Sequence, residues 1–96
     1  MQTLDQIKSK LVTKRDYLFS HYPINTLDIF GSYTRGDEQD DSDIDILVEF
    51  NDSIGIEFID FAEEIEKLLG FKVDLVSRGG IKDKCYNVIK DDLIYV

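Results

Sequence analysis

Two short apolar runs flank a polar, acidic segment near the middle of this 96-residue chain. The first run ends at Phe30 and is followed at once by Gly31-Ser32, and the second begins between Asp43 and Asp45. Runs of this length with alternating apolar residues are typical of strands. A glycine directly after a strand allows a tight turn and a close approach of ligand to backbone. The pattern therefore predicts two consecutive strands, the first leading into a binding turn and the second carrying two aspartates.

The residue types at these positions indicate a site for a phosphorylated ligand and a metal ion. Gly31-Ser32 would open a short helix ending near Arg35, and free N–H groups at a helix start attract anions. Arg35 lies one turn further on and could hold a phosphate oxygen with two hydrogen bonds. Asp43 and Asp45 are two residues apart in a strand, so both side chains point to one face. Phosphate donors beside hard oxygen ligands suggest a nucleoside triphosphate held with Mg²⁺.

A third carboxylate follows 29 residues after Asp45, at Asp74 within a run predicted as a strand over 72–76. Aspartate is abundant here, with fourteen among 96 residues, so an Asp-x-Asp pair alone is weak evidence. The combination of Gly-Ser, ten intervening residues, Asp-x-Asp and a third strand aspartate is far more specific. Asp74 would approach the first two from a neighbouring strand.

The rest of the chain predicts helices alternating with strands. Thr3 and Gln6 form a capping-box pattern that opens a helix to about Phe19. A strand is predicted over 27–30, a helix over 56–69 that ends at Gly70, and a weaker helix over 81–90. A turn over 78–80 and a last strand over 93–96 complete the pattern. The glutamates at 57, 63, 64 and 66 are interpreted as the solvated face of the 56–69 helix, and they could also contact a basic partner. The predicted fold class is α/β, a small mixed sheet with helices packed against it.

Composition limits the alternatives. A hydrophobic content of 43% suits one modest core, so residues 1–96 are predicted to form a single domain. The net charge of −9 argues against direct binding to nucleic acid, which needs a basic face, and fits docking onto a basic partner or ordinary solubility. A single Cys85 and the lack of a long apolar run predict a cytoplasmic protein without membrane association.

The motif resembles that of the nucleotidyltransferase superfamily of DNA polymerase β, and within it the minimal nucleotidyltransferases, which are about as long as this chain. The resemblance implies the polymerase-β-like nucleotidyltransferase fold. It also implies catalysis with two Mg²⁺ ions held by Asp43, Asp45 and Asp74, and ATP as substrate. Gly31 and Ser32, together with Arg35 and Asp43, would contact the nucleotide.

The same resemblance implies a biological role. Small proteins of this type are typically antitoxins encoded beside HEPN-domain toxins, and some transfer AMP onto their partner. The resemblance implies transfer of AMP from ATP to a hydroxyl, that of a tyrosine, on a HEPN ribonuclease. Larger relatives carry an additional helical domain that presents the acceptor; no such module is found here, which favours an acceptor on a separate protein.

Two other functions stay open at the level of the sequence. The chain could neutralise a toxin by binding alone, with a vestigial site, or it could transfer a nucleotide to a small molecule or an RNA end. Intact Gly-Ser, Asp-x-Asp and third Asp argue against the first, and the acidic composition argues against the second.

Overall fold

The computed structural model describes residues 3–36 and 43–96, which form a four-stranded mixed sheet with helices packed against it. The predicted α/β class is confirmed. The strand order is β3-β2-β1-β4. The elements are α1 (Leu4–His21), β1 (Ile24–Phe30), α2 (Ser32–Arg35), β2 (Ile44–Phe50), α3 (Glu57–Leu69), β3 (Val73–Ser77), α4 (Asp83–Ile89) and β4 (Ile94–Tyr95).

The first helix begins with the predicted capping box. The Thr3 hydroxyl accepts the backbone N–H of Gln6 at 3.2 Å, and the Gln6 side chain accepts the N–H of Thr3 at 2.9 Å. The helix runs two residues further than predicted and ends at His21, just before Pro23, which cannot continue it. Its buried residues are Ile7, Leu11 and Leu18.

Strand β1 starts earlier than predicted. It pairs antiparallel with β2 from Ile24 opposite Phe50 to Phe30 opposite Asp45, with a register shift between Ile24 and Thr26. The predicted start at Leu27 was wrong because backbone pairing with the far end of β2 extends the strand past its apolar run. The other neighbour of β2 is β3, which is parallel to it, and β4 pairs antiparallel with β1.

One face of the sheet packs against α1 and α3 and forms the core. The predicted alternation in β2 is confirmed: Ile44, Ile46 and Val48 are fully buried in this core. The opposite face carries Asp45 and Glu49, together with Leu47, which is also buried but lies outside the core cluster. This second face holds the candidate site.

The helix α3 lies between β2 and β3 in the chain and ends, as predicted, at Gly70, whose φ of +84° is left-handed. Phe61, Ile65 and Leu69 are its buried residues. Near its start, Phe58 turns toward the core, whereas Ile56 is 74% exposed.

The C-terminal part follows the prediction in outline. The predicted turn after β3 is a 3-10 turn over Arg78–Gly80, the weak helix is confirmed as α4, and the last strand is shortened to two residues. A second 3-10 turn, Lys90–Asp92, connects α4 with β4. Within residues 3–36 and 43–96, no helix combines the length and apolar character needed to cross a membrane.

Candidate active site

The parallel pairing of β2 with β3 places Asp45 directly opposite Asp74. Residues opposite each other on adjacent strands project to the same face of a sheet. The two carboxylates, 29 residues apart in the chain, are therefore neighbours on the sheet face opposite the core. The predicted approach of Asp74 from a strand next to Asp45 is confirmed.

Gly31 connects the binding turn to this carboxylate pair. It is buried and has a φ of +86°, which is a left-handed conformation that favours glycine. A Cβ atom at this position would overlap the Asp45 carboxylate, lying 2.9 Å from its Cγ. Only a residue without a side chain lets the Asp45 carboxylate pack against the turn.

The turn continues into α2, whose bounds match the predicted Ser32 to Arg35 segment. The Gly31 carbonyl accepts hydrogen bonds from the backbone N–H of Thr34 at 3.1 Å and of Arg35 at 3.2 Å, and from the Thr34 hydroxyl at 2.9 Å. These bonds fix the short helix against the end of β1. Ser32 is half-buried at the first helical position, next to Gly31.

The electrostatics of the site centre on Asp45. The pKa of its carboxyl is raised to about 6, first by burial and then by the charge of Asp74, a hydrogen bond with Asp74 and the charge of Asp43, while the charge of Arg35 lowers it. Asp43 is exposed and directly precedes β2. Four residues predicted from the sequence thus interact electrostatically at one place.

Arg35 has a second acidic neighbour. Its guanidinium lies 3.9 Å from the Asp92 carboxylate in the turn before β4. Both side chains are partly exposed. Arg35 therefore links α2 to the C-terminal segment as well as acting on Asp45.

The donor chemistry of the three aspartates fits a divalent cation. They supply the hard oxygen atoms that Mg²⁺ prefers, and a cation would relieve the repulsion that raises the pKa of Asp45. In the part of the chain that the structure describes, no three His, Cys, Asp or Glu side chains form a ready-made metal site. The fit therefore lies in charge and ligand type, and the metal-binding role of Asp43, Asp45 and Asp74 stays a prediction.

Sequence reasoning missed one acidic residue on the same face. Asp28 lies in β1 opposite Leu47 and Tyr95 and is only 2% exposed. Its Oδ1 atom has no hydrogen-bond partner among the described residues, and burial, followed by the charge of Glu49, raises its pKa to about 6. The alternation of Leu27 and Ile29 already implied that Asp28 points away from the core; its burial could not be read from that pattern.

Comparison with known families agrees with this geometry. The sequence profile of the nucleotidyltransferase domain matches residues 7–96. The chain belongs to this family. A protein adenylyltransferase, MntA, of Thermococcus cleftensis is 36% identical over 97 residues, covering 100% of this chain and 98% of its own length. The chain is thus a nucleotidyltransferase by family, as the motif predicted.

Solved structures of nucleotidyltransferases share its fold. A protein described provisionally as a minimal nucleotidyltransferase has a TM-score of 0.76 at 26% identity, covering 94% of this chain and 95% of its own. A toxin–antitoxin complex with AMP-PNP includes a chain with a TM-score of 0.68 at 26% identity, and the match covers 86% of this chain and 69% of that one. A chain in the complex of tri-AMPylated Shewanella oneidensis HEPN toxin with MNT antitoxin has a TM-score of 0.69, and the match covers 93% of this chain and 70% of that one. Because the identity is only 21%, this similarity shows the fold alone.

Proposed function

We propose that this nucleotidyltransferase is an antitoxin that transfers AMP from ATP to a tyrosine hydroxyl of a cognate HEPN ribonuclease and thereby silences it. The observation that carries the proposal is the register that sets Asp45 opposite Asp74, with Gly31 packed against Asp45. This arrangement puts acidic groups beside the turn that would receive the triphosphate.

The reaction joins the acceptor oxygen to the α-phosphorus of ATP. The bond from that phosphorus to the oxygen that bridges to the β-phosphate breaks, and pyrophosphate leaves. The proton of the acceptor hydroxyl passes to a carboxylate, and Asp74 is the candidate because its side chain is exposed and it lies beside Asp45. Mg²⁺ ions held by Asp43, Asp45 and Asp74 would neutralise charge that develops on the phosphates.

The residues of the turn would hold the nucleotide. Gly31 gives the triphosphate room to approach the backbone, and Ser32 would donate its hydroxyl and N–H to phosphate oxygens. Arg35, which already acts on Asp45, would hold a phosphate oxygen and exchange its contact with Asp92 for the nucleotide.

Two kinds of support favour a protein as acceptor. The relative from Thermococcus cleftensis, which this chain matches over its whole length, is a protein adenylyltransferase by name. One structural neighbour of 26% identity was solved as part of a toxin–antitoxin complex with a nucleotide analogue. The HEPN class of the partner, the tyrosine acceptor and a cytoplasmic location rest on the family resemblance of the sequence.

The test is a transfer assay. The chain is incubated with labelled ATP, Mg²⁺ and the protein encoded by the neighbouring gene, and AMP on that protein is located by mass spectrometry. We expect label on a tyrosine, loss of label without Mg²⁺, and loss of label in the Asp43→Asn and Asp45→Asn double variant.

Two outcomes would contradict the proposal. Label on a small molecule or an RNA end, with none on protein, would assign the transfer to another acceptor. Full neutralisation of the toxin by the double variant, which cannot transfer AMP, would favour an antitoxin that acts by binding alone.

A further inference from the structure

The start of α3 exposes two isoleucines side by side. Ile56 directly precedes the helix and is 74% exposed, and Ile59, three residues later, is 57% exposed. Residues three apart are neighbours on a helix surface, so the two side chains form one apolar patch. Single exposed apolar residues are ordinary, whereas a contiguous apolar patch rimmed by polar residues is typical of an interaction site.

Acidic side chains border this patch. Asp52, Glu57 and Asp60 are all exposed and lie within four residues of one of the two isoleucines. No basic residue occurs between positions 51 and 66. A partner that covers the isoleucines must therefore place its own groups among carboxylates.

A cleft adjoins the patch through Ile54, two residues before Ile56. It has a volume of about 680 Å³, and Ile54 lines it together with Glu49, Asp52, Ser53, Ser77 and Arg78. The charge of Arg78 is already compensated, because its guanidinium lies 3.2 Å from the Asp83 carboxylate and 4.0 Å from the Tyr86 ring centre. The two acidic residues that line the cleft, Glu49 and Asp52, make it suitable for a basic side chain.

The patch and the cleft lie at the opposite end of β2 from Asp45. The ring centres of Phe50, the last residue of β2, and Phe58 in the first turn of α3 are 6.3 Å apart. At roughly 3.3 Å per residue, the five residues from Asp45 to Phe50 span about 16 Å. A partner held here occupies a place distinct from the reacting phosphate.

We propose that this β2–α3 surface, made of Ile56, Ile59 and the adjoining cleft, docks the acceptor protein. The acceptor presents an apolar side chain to the isoleucines and a lysine or arginine to Glu49 and Asp52. A second copy of this chain is the poorer occupant, because a two-fold contact would bring the same acids face to face. The inference rests on the proposed function and identifies where that function recognises its protein substrate.

The experiment compares a double variant, which carries both Ile56→Ser and Ile59→Ser, with the control variant Val88→Ser. Val88 is 75% exposed on α4, so it matches Ile56 in exposure but lies outside the surface. Initial rates of AMP transfer are measured over a range of acceptor concentrations, and the Kd for the acceptor is measured without ATP. Thermal unfolding confirms that each variant is folded.

We expect the double variant to raise the KM and the Kd for the acceptor at least about tenfold, the scale of losing central contact residues. Its kcat and its KM for ATP should equal those of the wild type, and Val88→Ser should change none of these values. Asp52→Asn should reduce the dependence of the Kd on salt, because it removes one carboxylate from the cleft.

An unchanged Kd and KM in the double variant would overturn the docking surface while leaving AMP transfer by the wild type intact. A fall in kcat at unchanged KM would also overturn it, because that result places the isoleucines in the chemical step. If the wild type transferred no AMP to protein, the proposed function would fail, and the Kd measured without ATP would still decide the docking surface.

Discussion

Gly31 and the Asp45 carboxylate occupy neighbouring space at the end of β1, so a side chain at position 31 would displace the carboxylate. The glycine has a left-handed φ of +86°, and any Cβ there would overlap the carboxylate. The turn that would bind phosphate and the acid that would bind metal are thus fitted to each other directly. A substitution at Gly31 should act on the site mainly by displacing Asp45.

Gly31→Ala should lower AMP transfer on the order of 100-fold, a typical effect of losing a preorganised electrostatic group. Gly36→Ala is the matched control, because Gly36 also has a positive φ, +79°, but no atom of residues 3–36 and 43–96 lies within 4 Å of its Cβ position. That control should lose only about 1 kcal/mol of stability from backbone strain. Transfer rates and denaturant unfolding of both variants measure these effects, and equal losses of activity would contradict this account.

Asp28 is a buried acid that the proposed reaction does not use. Its folded pKa of about 6 lies above its ordinary value of 3.8. Between about pH 4 and pH 6 the native state keeps a proton that the unfolded chain has lost, so stability falls as the pH rises through this window. Above pH 6 the whole cost of burying the charge is present.

Asp28→Asn should therefore stabilise the protein at pH 7.5 by about 1 to 3 kcal/mol, and by less at pH 4.5. Denaturant unfolding at both pH values measures the difference, with the exposed Asp16→Asn as control. AMP transfer should persist in Asp28→Asn. A variant that is less stable than the wild type at pH 7.5 would show that Asp28 contributes favourable interactions when charged.

At the scale of elements, α3 positions the strand that carries Asp74. The Glu66 carboxylate accepts the backbone N–H of Val73 at 3.0 Å, at the start of the edge strand β3. Glu64 accepts the hydroxyl of Tyr22 at 2.7 Å and so connects α3 with the residue after α1. Both glutamates are half-buried, so their interpretation as part of a solvated face was wrong; it was correct for Glu57 and Glu63.

Glu66→Ala should destabilise the fold by about 1 to 2 kcal/mol, because it leaves the N–H of Val73 without its acceptor. Glu66→Gln keeps an acceptor oxygen and should lose less, and the exposed Glu63→Ala should have little effect. Unfolding by denaturant gives the stabilities, and hydrogen exchange at Val73 reports the local change. Exchange that is equally slow in Glu66→Ala and the wild type would contradict the role of this bond.

At the scale of the whole molecule, acidic charge dominates. The net charge is −9, and three of the carboxylates that contribute to it lie close together in the candidate site. A bound cation would offset this local repulsion, and a ligand that binds only the native state stabilises it by mass action. Nucleotide with Mg²⁺ should therefore protect this protein more than it protects a variant with one carboxylate fewer.

ATP with Mg²⁺ should raise the melting temperature of the wild type. The added free energy of unfolding should be about 2.7 kcal/mol when free ligand reaches a hundred times its Kd. Asp45→Asn should show a much smaller shift, although its melting temperature without ligand should be higher, because the buried charge is gone. Thermal scans with ATP, with Mg²⁺ and with both make the comparison. An equal shift in both proteins would exclude Asp45 from the metal site.

Much of the secondary structure could be predicted because it depends on local chemistry. The capping box at Thr3, the short helix from Ser32 to Arg35 and the left-handed Gly70 each follow from residues within one or two helical turns. The alternation in β2 similarly assigns Asp45 to the face opposite Ile44 and Ile46, because side chains alternate along a strand. The motif residues of the site could be named on the same grounds.

Contacts between distant residues were decided by the tertiary structure. The sequence predicted that Asp74 would approach Asp45, but their pairing side by side depends on how α3 crosses between two parallel strands. The burial of Asp28 and the exposure of Ile56 depend likewise on what packs nearby. Local periodicity states which way a side chain points along its own element, whereas only the packing of other elements determines what, if anything, it meets there.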